Sequence, residues 1–218
     1  MNVELAELLG MMCGDGCLSK TAKGKHFVYC SGNRLKDKDY FGKYVPGLFH
    51  EVFGKIVVAH EREKPKVIYI KFSDKAIFSF LHELELPIGS KYELLKIPQK
   101  VLEKQEYKRA FIRGLFDTDG CVVFSKQHRK IPYYPRIEIT SKSQLFLRSV
   151  FDILLQDGFF GSLSNKGKIY SRLEIPGFKN IVLWRSLINS SNERNISKLE
   201  QANKSYLNHL KTTNNMPP

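Results

Sequence analysis

Two aspartates, Asp15 and Asp119, lie 119 − 15 = 104 positions apart, and each is followed by glycine and cysteine. Each closes a short apolar segment, Leu5 to Cys17 and Arg109 to Cys121. In register, Ala6 matches Ala110, Gly10 matches Gly114 and Gly14 matches Thr118. A small residue at every fourth position makes a smooth helical stripe on which a second backbone can approach closely. Helices packed stripe to stripe bring both acids out at one end. Two carboxylates near a shared reaction centre can hold a divalent cation such as Mg²⁺, which acidifies water and stabilises developing negative charge. The acids must stand at the helix ends, because a carboxylate inside a close helix interface carries an unmet desolvation cost.

The elements that position these acids also repeat. Behind each motif the pattern predicts a hairpin: Cys17 to Lys20 with His26 to Ser31, and Cys121 to Lys126 with Arg136 to Ser141, joined by basic loops. Amphipathic helices follow over Asp37 to Phe53 and Ser143 to Gln156, ended by Gly54 and Gly158. Second hairpins come next, Ile56 to His60 with Val67 to Ser73, and Gly161 to Ser164 with Lys168 to Ile175. In these, Tyr170, Arg172 and Glu174 read as exposed. Helices over Asp74 to Leu84 and Phe178 to Ile188 close the halves. The expectation is an α+β fold: a pseudo-twofold αββαββα duplication with two antiparallel four-stranded sheets about the motif helices. The halves run 1–98, including an irregular connection over 86–98, and 99–201; residues 202–218 read as a frayed, then disordered tail.

The chain has 218 residues, with 35 Lys and Arg against 22 Asp and Glu for a formal charge of +13, which favours a polyanionic partner. No stretch has the length of a membrane span and no secretory signal precedes the first motif, so the expected setting is intracellular: cytoplasm or nucleoid, or an organelle matrix. Cys13, Cys17, Cys30 and Cys121 form no CxxC pair and read as reduced thiols.

With both motifs in view, the sequence resembles the LAGLIDADG homing endonucleases in their single-chain, two-motif form, over roughly residues 3 to 200. The resemblance implies a DNA-binding saddle built from the two sheets. It assigns Asp15 and Asp119 as catalytic metal-binding acids, with the preceding Gly14 and Thr118 at the same metal site, and Mg²⁺ or Mn²⁺ as cofactor. Cys13 stands where the second motif has Asp117, an acid that read alone is a cap or an ordinary solvated group. The family places basic or polar residues that order water at the end of the second strand. Lys142 is the match in the second half, with a solvated lysine at a helix start as the competing reading; in the first half only Asn33 is on offer. The DNA-facing candidates are Lys20, Lys23, Lys25, Asn33, Arg34, Lys36, Lys71, Lys126, Arg129, Lys130, Arg136 and Arg172, on hairpin loops and polar strand faces.

The expected activity is Mg²⁺-dependent cleavage of double-stranded DNA at a long asymmetric site by a monomer. An intron reading frame is preferred to an intein domain, since the chain opens just before the first motif without room for splicing blocks. The competitors are an RNA maturase, which adds intron RNA as a partner, and a non-catalytic DNA-binding regulator, against which the presence of both acids argues.

Overall fold

In a computed structural model describing residues 1–128, 131–167 and 169–214, the motif segments form helices α1 (Val3–Gly14) and α4 (Gln105–Asp119). Their mutual approach is close enough to exclude any side chain at two places. A Cβ on Gly10 would lie 1.9 Å from the Phe111 carbonyl oxygen, and one on Gly114 would lie 2.1 Å from the Glu7 carbonyl oxygen. The contacts are reciprocal, because Glu7 and Phe111 hold equivalent places in the two motifs.

Each motif leads into an antiparallel sheet. The first has β1 (Gly16–Lys20), β2 (His26–Asn33), β3 (Ala59–Arg62) and β4 (Val67–Ser73) in the order β1-β2-β4-β3. The second has β5 (Gly120–His128), β6 (Ile131–Ser141), β7 (Ser162–Lys166) and β8 (Tyr170–Pro176) in the order β5-β6-β8-β7. One face of each sheet is core: Val28, Cys30, Ile68 and Ile70 are buried in the first, and Ile137, Ile139, Leu173 and Ile175 in the second. Helices α2 (Val45–Phe53), α3 (Lys75–Glu83), α5 (Gln144–Gln156) and α6 (Phe178–Leu187) add the rest of one hydrophobic core that runs through both halves. Asp74 caps α3 by accepting from the amides of Ala76 and Ile77, and Ser143 caps α5 at Phe146.

Several regions differ from the sequence reading, among them the strand expected over Ile56 to His60, which runs instead over Ala59–Arg62. The helix expected over 37–53 opens with a π-helical turn, Tyr40–Tyr44, before α2; Pro46 has no amide hydrogen to donate back along the helix, so the regular ladder is interrupted there. Tyr170, Arg172 and Glu174 are half-buried rather than exposed, because Arg172 and Glu174 pack into an ion-pair cluster on the sheet face. The segment from residue 202 to 214 continues α7 (Glu193–Asn214), where Ala202 is fully buried; residues 215–218, the end of the expected tail, lie outside the described residues.

A polar seam joins the halves beside the motif helices. Glu7, only 2% exposed, accepts from Arg113 at 2.6 and 2.8 Å, from the Tyr44 hydroxyl at 2.7 Å and from the Ser191 hydroxyl at 2.7 Å. Asn192 donates to Asp37 (3.1 Å) and to the Asp117 carbonyl (3.0 Å), stitching the loop before α7 to both halves.

Gly10→Ala and Gly114→Ala must each push the motif helices apart. Each is expected to destabilise the chain by at least the 1–3 kcal/mol typical of overpacking, as measured by urea unfolding. Gly47→Ala, where nothing lies within 4 Å of the added methyl, serves as the control and is expected to be neutral or stabilising.

Candidate active site

The close helix packing delivers Asp15 and Asp119 into one cleft of about 720 Å³ at the C-terminal ends of α1 and α4. A Cβ on Gly14 would touch the Thr118 hydroxyl at 2.0 Å and lie 3.5 Å from the Asp119 carboxyl carbon, which shows how near the two motif ends come. Thr118 turns its hydroxyl back onto its own helix, donating to the carbonyls of Gly114 (3.1 Å) and Leu115 (3.0 Å).

Both carboxyls bind protons more tightly than free aspartate. Burial pushes Asp15 up to about 7, with the charge of Asp119 adding to the rise and Lys91 opposing it. Burial raises Asp119 to about 6, again opposed by Lys91. Two partly desolvated acids held together form a site short of positive charge.

Lys91 partly supplies that charge, and the sequence reading did not single it out. It comes from the irregular connection, whose path is fixed where Ile88 bridges Leu18 and the Gly89 amide donates to the Leu18 carbonyl at 2.8 Å. Its ammonium sits on carbonyl oxygens at the end of α1, donating to Gly14, to Gly16 at 2.9 Å and to Met12 at 3.4 Å. Such end carbonyls have no partner within the helix. The next residue, Tyr92, lies under Lys142, whose Nζ is 4.5 Å from the ring centroid, and both line the cleft. In the second half, Lys198 of α7 donates to the Val122 carbonyl at 3.2 Å.

The donors suit a hard cation. Among the described residues no cluster of three or more His, Cys, Asp and Glu offers a metal cage, so an ion here would draw on the two carboxylates, backbone carbonyl oxygen, water and ligand phosphate, an all-oxygen set of the kind Mg²⁺ accepts. The ammonium of Lys91 already rests on three carbonyls at the end of the first motif.

The remaining candidates are placed as follows. Asn33 stands outside the cleft; its side-chain oxygen accepts from the amides of Leu35 (3.0 Å) and Lys36 (3.1 Å) in a turn, so it is committed locally. Asp117 is neither a cap nor solvated: it is 1% exposed, accepts from the Ser190 hydroxyl and from the Ser191 amide at 2.7 Å, and is raised by burial to about 7. Cys13, its counterpart, is a buried thiol raised by burial to about 12, hence an inert packing group. Lys20, Lys23, Lys25 and Lys36 are exposed on or near the β1–β2 hairpin. Arg34 is engaged by Glu61 and Glu63, each at 3.1 Å. Lys71 lies over the Phe27 ring at 4.5 Å. Arg136 and Arg172 sit among acids on the second sheet, Lys126 lies on β5, and Arg129 and Lys130 lie outside the described residues.

The raised carboxyls set a testable pH dependence. Between about pH 4 and 7 the folded protein holds protons on Asp15, Asp117 and Asp119 that the unfolded chain has released, so stability in EDTA falls as pH rises through that window. Mg²⁺ engages Asp15 and Asp119 only when they are ionised. It is expected to raise the melting temperature at about pH 8 and to do little at about pH 5. Asp15→Asn should raise the EDTA value at the higher pH and remove most of the Mg²⁺ gain; scanning calorimetry checks both.

Residues 106–207 match the model of the LAGLIDADG-like domain. The fold is that of single-chain LAGLIDADG proteins of known structure. I-DmoI in complex with DNA and Ca superposes with a TM-score of 0.64 at 15% identity, over 92% of this chain and 100% of that one. The LAGLIDADG meganuclease I-AabMI bound to uncleaved DNA gives 0.62 at 14% identity, over 97% and 93%. Among curated proteins, the chain is 29% identical to a probable translation initiation factor IF-2 of Thermococcus kodakarensis over 88% of its length, and 27% identical to the replication factor C small subunit of Methanocaldococcus jannaschii over 91%. It spans only 15% and 10% of those two proteins. Residues 106–207 thus match the LAGLIDADG-like domain, and the whole chain has the fold of the single-chain LAGLIDADG homing endonucleases of known structure.

Proposed function

We propose that the chain is a site-specific DNA endonuclease that cuts both strands of a long asymmetric duplex with the help of Mg²⁺. The observation that carries this reading is the convergence of Asp15 and Asp119, both short of positive charge, in one cleft flanked by Lys91 and Lys142. A divalent cation held by Asp15 and Asp119 would stabilise charge on the scissile phosphate and make water a stronger nucleophile. The chain's own groups do the rest. The exposed ammonium of Lys142 offers donors to water or phosphate from one side of the cleft, steadied by the Tyr92 ring. Lys91 adds positive charge where its ammonium rests on the carbonyls at the end of α1.

The curated relatives support a mobile origin. Besides the two above, a helicase DnaB of Synechocystis and RtcB tRNA-splicing ligases match, and in each the similar segment is between 10% and 25% of the protein. These proteins share no activity, so none of their activities transfers to this chain. A segment common to unrelated hosts fits a module encoded within intervening sequence, acting in the cell on the uninterrupted form of its host gene. In those relatives the segment lies within the protein's own chain, which weighs towards in-frame residence and against the intron reading frame expected from the sequence.

Incubation with a plasmid bearing the uninterrupted host gene and Mg²⁺ is expected to give one double-strand break, abolished by EDTA and by Asp15→Asn or Asp119→Asn, with DNA affinity retained. Normal cutting by either variant would misplace the active site. Lys91→Met and Lys142→Met should each slow cleavage by roughly 10²-fold while affinity changes little, with nicked DNA accumulating in single-turnover assays. Affinity itself should fall with salt at a log-log slope of about −5 or steeper; a flat response would exclude a polyanionic partner.

A further inference from the structure

The outer faces of the two sheets present the same four positions with different chemistry. In the second sheet β6 and β8 set Glu138 opposite Glu174, Thr140 opposite Arg172 and Arg136 opposite Pro176. In the first sheet β2 and β4 set Tyr29 opposite Lys71, Ser31 opposite Tyr69 and Phe27 opposite Ser73. The correspondence is anchored by the motif cysteines, since Cys121 pairs with Glu138 and Cys17 with Tyr29. Arg136, Glu138, Arg172 and Glu174 therefore stand where Phe27, Tyr29, Tyr69 and Lys71 stand in the other half.

Directly opposed carboxylates are unfavourable across a strand pair, and both arginines bracket the two here. Arg136 Nε contacts Glu138 and lies 3.4 Å from Glu174, while Arg172 lies 3.6 Å from each acid. Further contacts hold the guanidinium groups in place: Arg136 donates to the Ser125 hydroxyl at 2.6 Å and Arg172 to the Tyr170 hydroxyl at 3.3 Å. Arg172 Nε has no partner among the described residues. The first sheet instead stacks Tyr29 on Tyr69 (6.0 Å between centroids), with Arg62 over Tyr69 at 5.6 Å and Lys71 over Phe27 at 4.5 Å.

A neutral quartet adds nothing net to phosphate attraction, and its acids repel phosphates. It fits base edges: a guanidinium fork matches the two acceptors of guanine, and a carboxylate accepts from the cytosine amino group. Against an adenine–thymine pair the same acids meet the thymine carbonyl oxygen, so wrong sequence is rejected as well as right sequence accepted. Aromatic faces have no such demand and suit the thymine methyl.

Resting on the nuclease reading, we infer that the two arms of the target differ in composition. The arm under the second sheet is G·C-rich and read by Arg136, Glu138, Arg172 and Glu174; the arm under the first is A·T-rich and packs against Phe27, Tyr29 and Tyr69. Thr140 lines the cleft with Asp119, and the strand from there to Arg136 covers about 14 Å. The G·C tract therefore starts beside the cut and runs for about four base pairs.

The test is a binding selection by the intact chain, with Ca²⁺, from a pool of duplexes randomised across the whole footprint. Selected sites are expected to carry one G·C-rich and one A·T-rich arm. Arg136→Gln with Arg172→Gln should lower the preference for the G·C arm by roughly 10- to 100-fold while keeping the A·T arm, whose retention reports a folded protein. Glu138→Gln with Glu174→Gln should admit A·T pairs in the same tract. Arms of equal composition for the unaltered chain, or a G·C preference that survives loss of both arginines, would overturn the inference. Failure to enrich any duplex would overturn the DNA reading and this inference with it.

Discussion

The structure depends on one contact that can be stated in ångströms: the backbones of α1 and α4 meet where a methyl at Gly10 would sit 1.9 Å from a carbonyl oxygen and one at Gly114 would sit 2.1 Å from another. Only glycine permits it, and the contact is made twice, once from each side. Because the small residues recur at every fourth position, the approach continues to Gly14 and Thr118 at the helix ends. Asp15 and Asp119 therefore converge without any dedicated contact between them. The cleft, the raised carboxyls and the placing of both sheets follow from that geometry.

Convergence has an electrostatic cost, which the surrounding residues distribute. Glu7, one turn before Gly10, is balanced by Arg113 and two hydroxyls, and Asp117 by Ser190 and the Ser191 amide. Among the described residues Asp15 and Asp119 receive no comparable pairing; Lys91 is near, but its ammonium rests on backbone carbonyls. Acids beside the cleft are thus satisfied by the protein, and the two at its floor are left for something else to satisfy. Placing Cys13 opposite Asp117 fits this economy, since a second buried acid beside Asp15 would add repulsion exactly where none is compensated.

How much of this was legible in the sequence divides along local and nonlocal lines. The duplication, the small-residue stripe, the alternating strands and the caps at Asp74 and Ser143 are local signals, and they place the elements within a few residues. Lys91 was not legible, because its role depends on an irregular segment crossing beside β1, and nothing in Gly89-Ser90-Lys91 announces that path. Asp117 reads as a cap or a solvated acid until the loop at Ser190, 73 residues away, is folded over it. Asn33 lies outside the cleft for a local reason: its side-chain oxygen accepts from the turn amides of Leu35 and Lys36. The π-helical turn was hidden because Pro46 near a helix start is ordinary in sequence, and only the continuous pattern before it creates the conflict.

The two halves have kept some features and exchanged others in a pattern that packing explains. Positions that touch the other half, or the core, are nearly fixed: the stripe, the motif acids, and Val28, Cys30, Ile70 and Phe72 against Ile137, Ile139, Leu173 and Ile175. The outer-face residues of each sheet lie outside the hydrophobic core, so a substitution there is constrained chiefly by its cross-strand pairing. That pairing still imposes a rule. Once Glu138 and Glu174 oppose each other, cations must occupy the diagonals, and Arg136 and Arg172 do. In the first half no acid pair exists, and the same diagonal positions hold Phe27 and Tyr69. Each face has therefore diverged as a coupled set rather than residue by residue, so two surfaces of different chemistry flank a pair of acids whose placement neither half can alter alone.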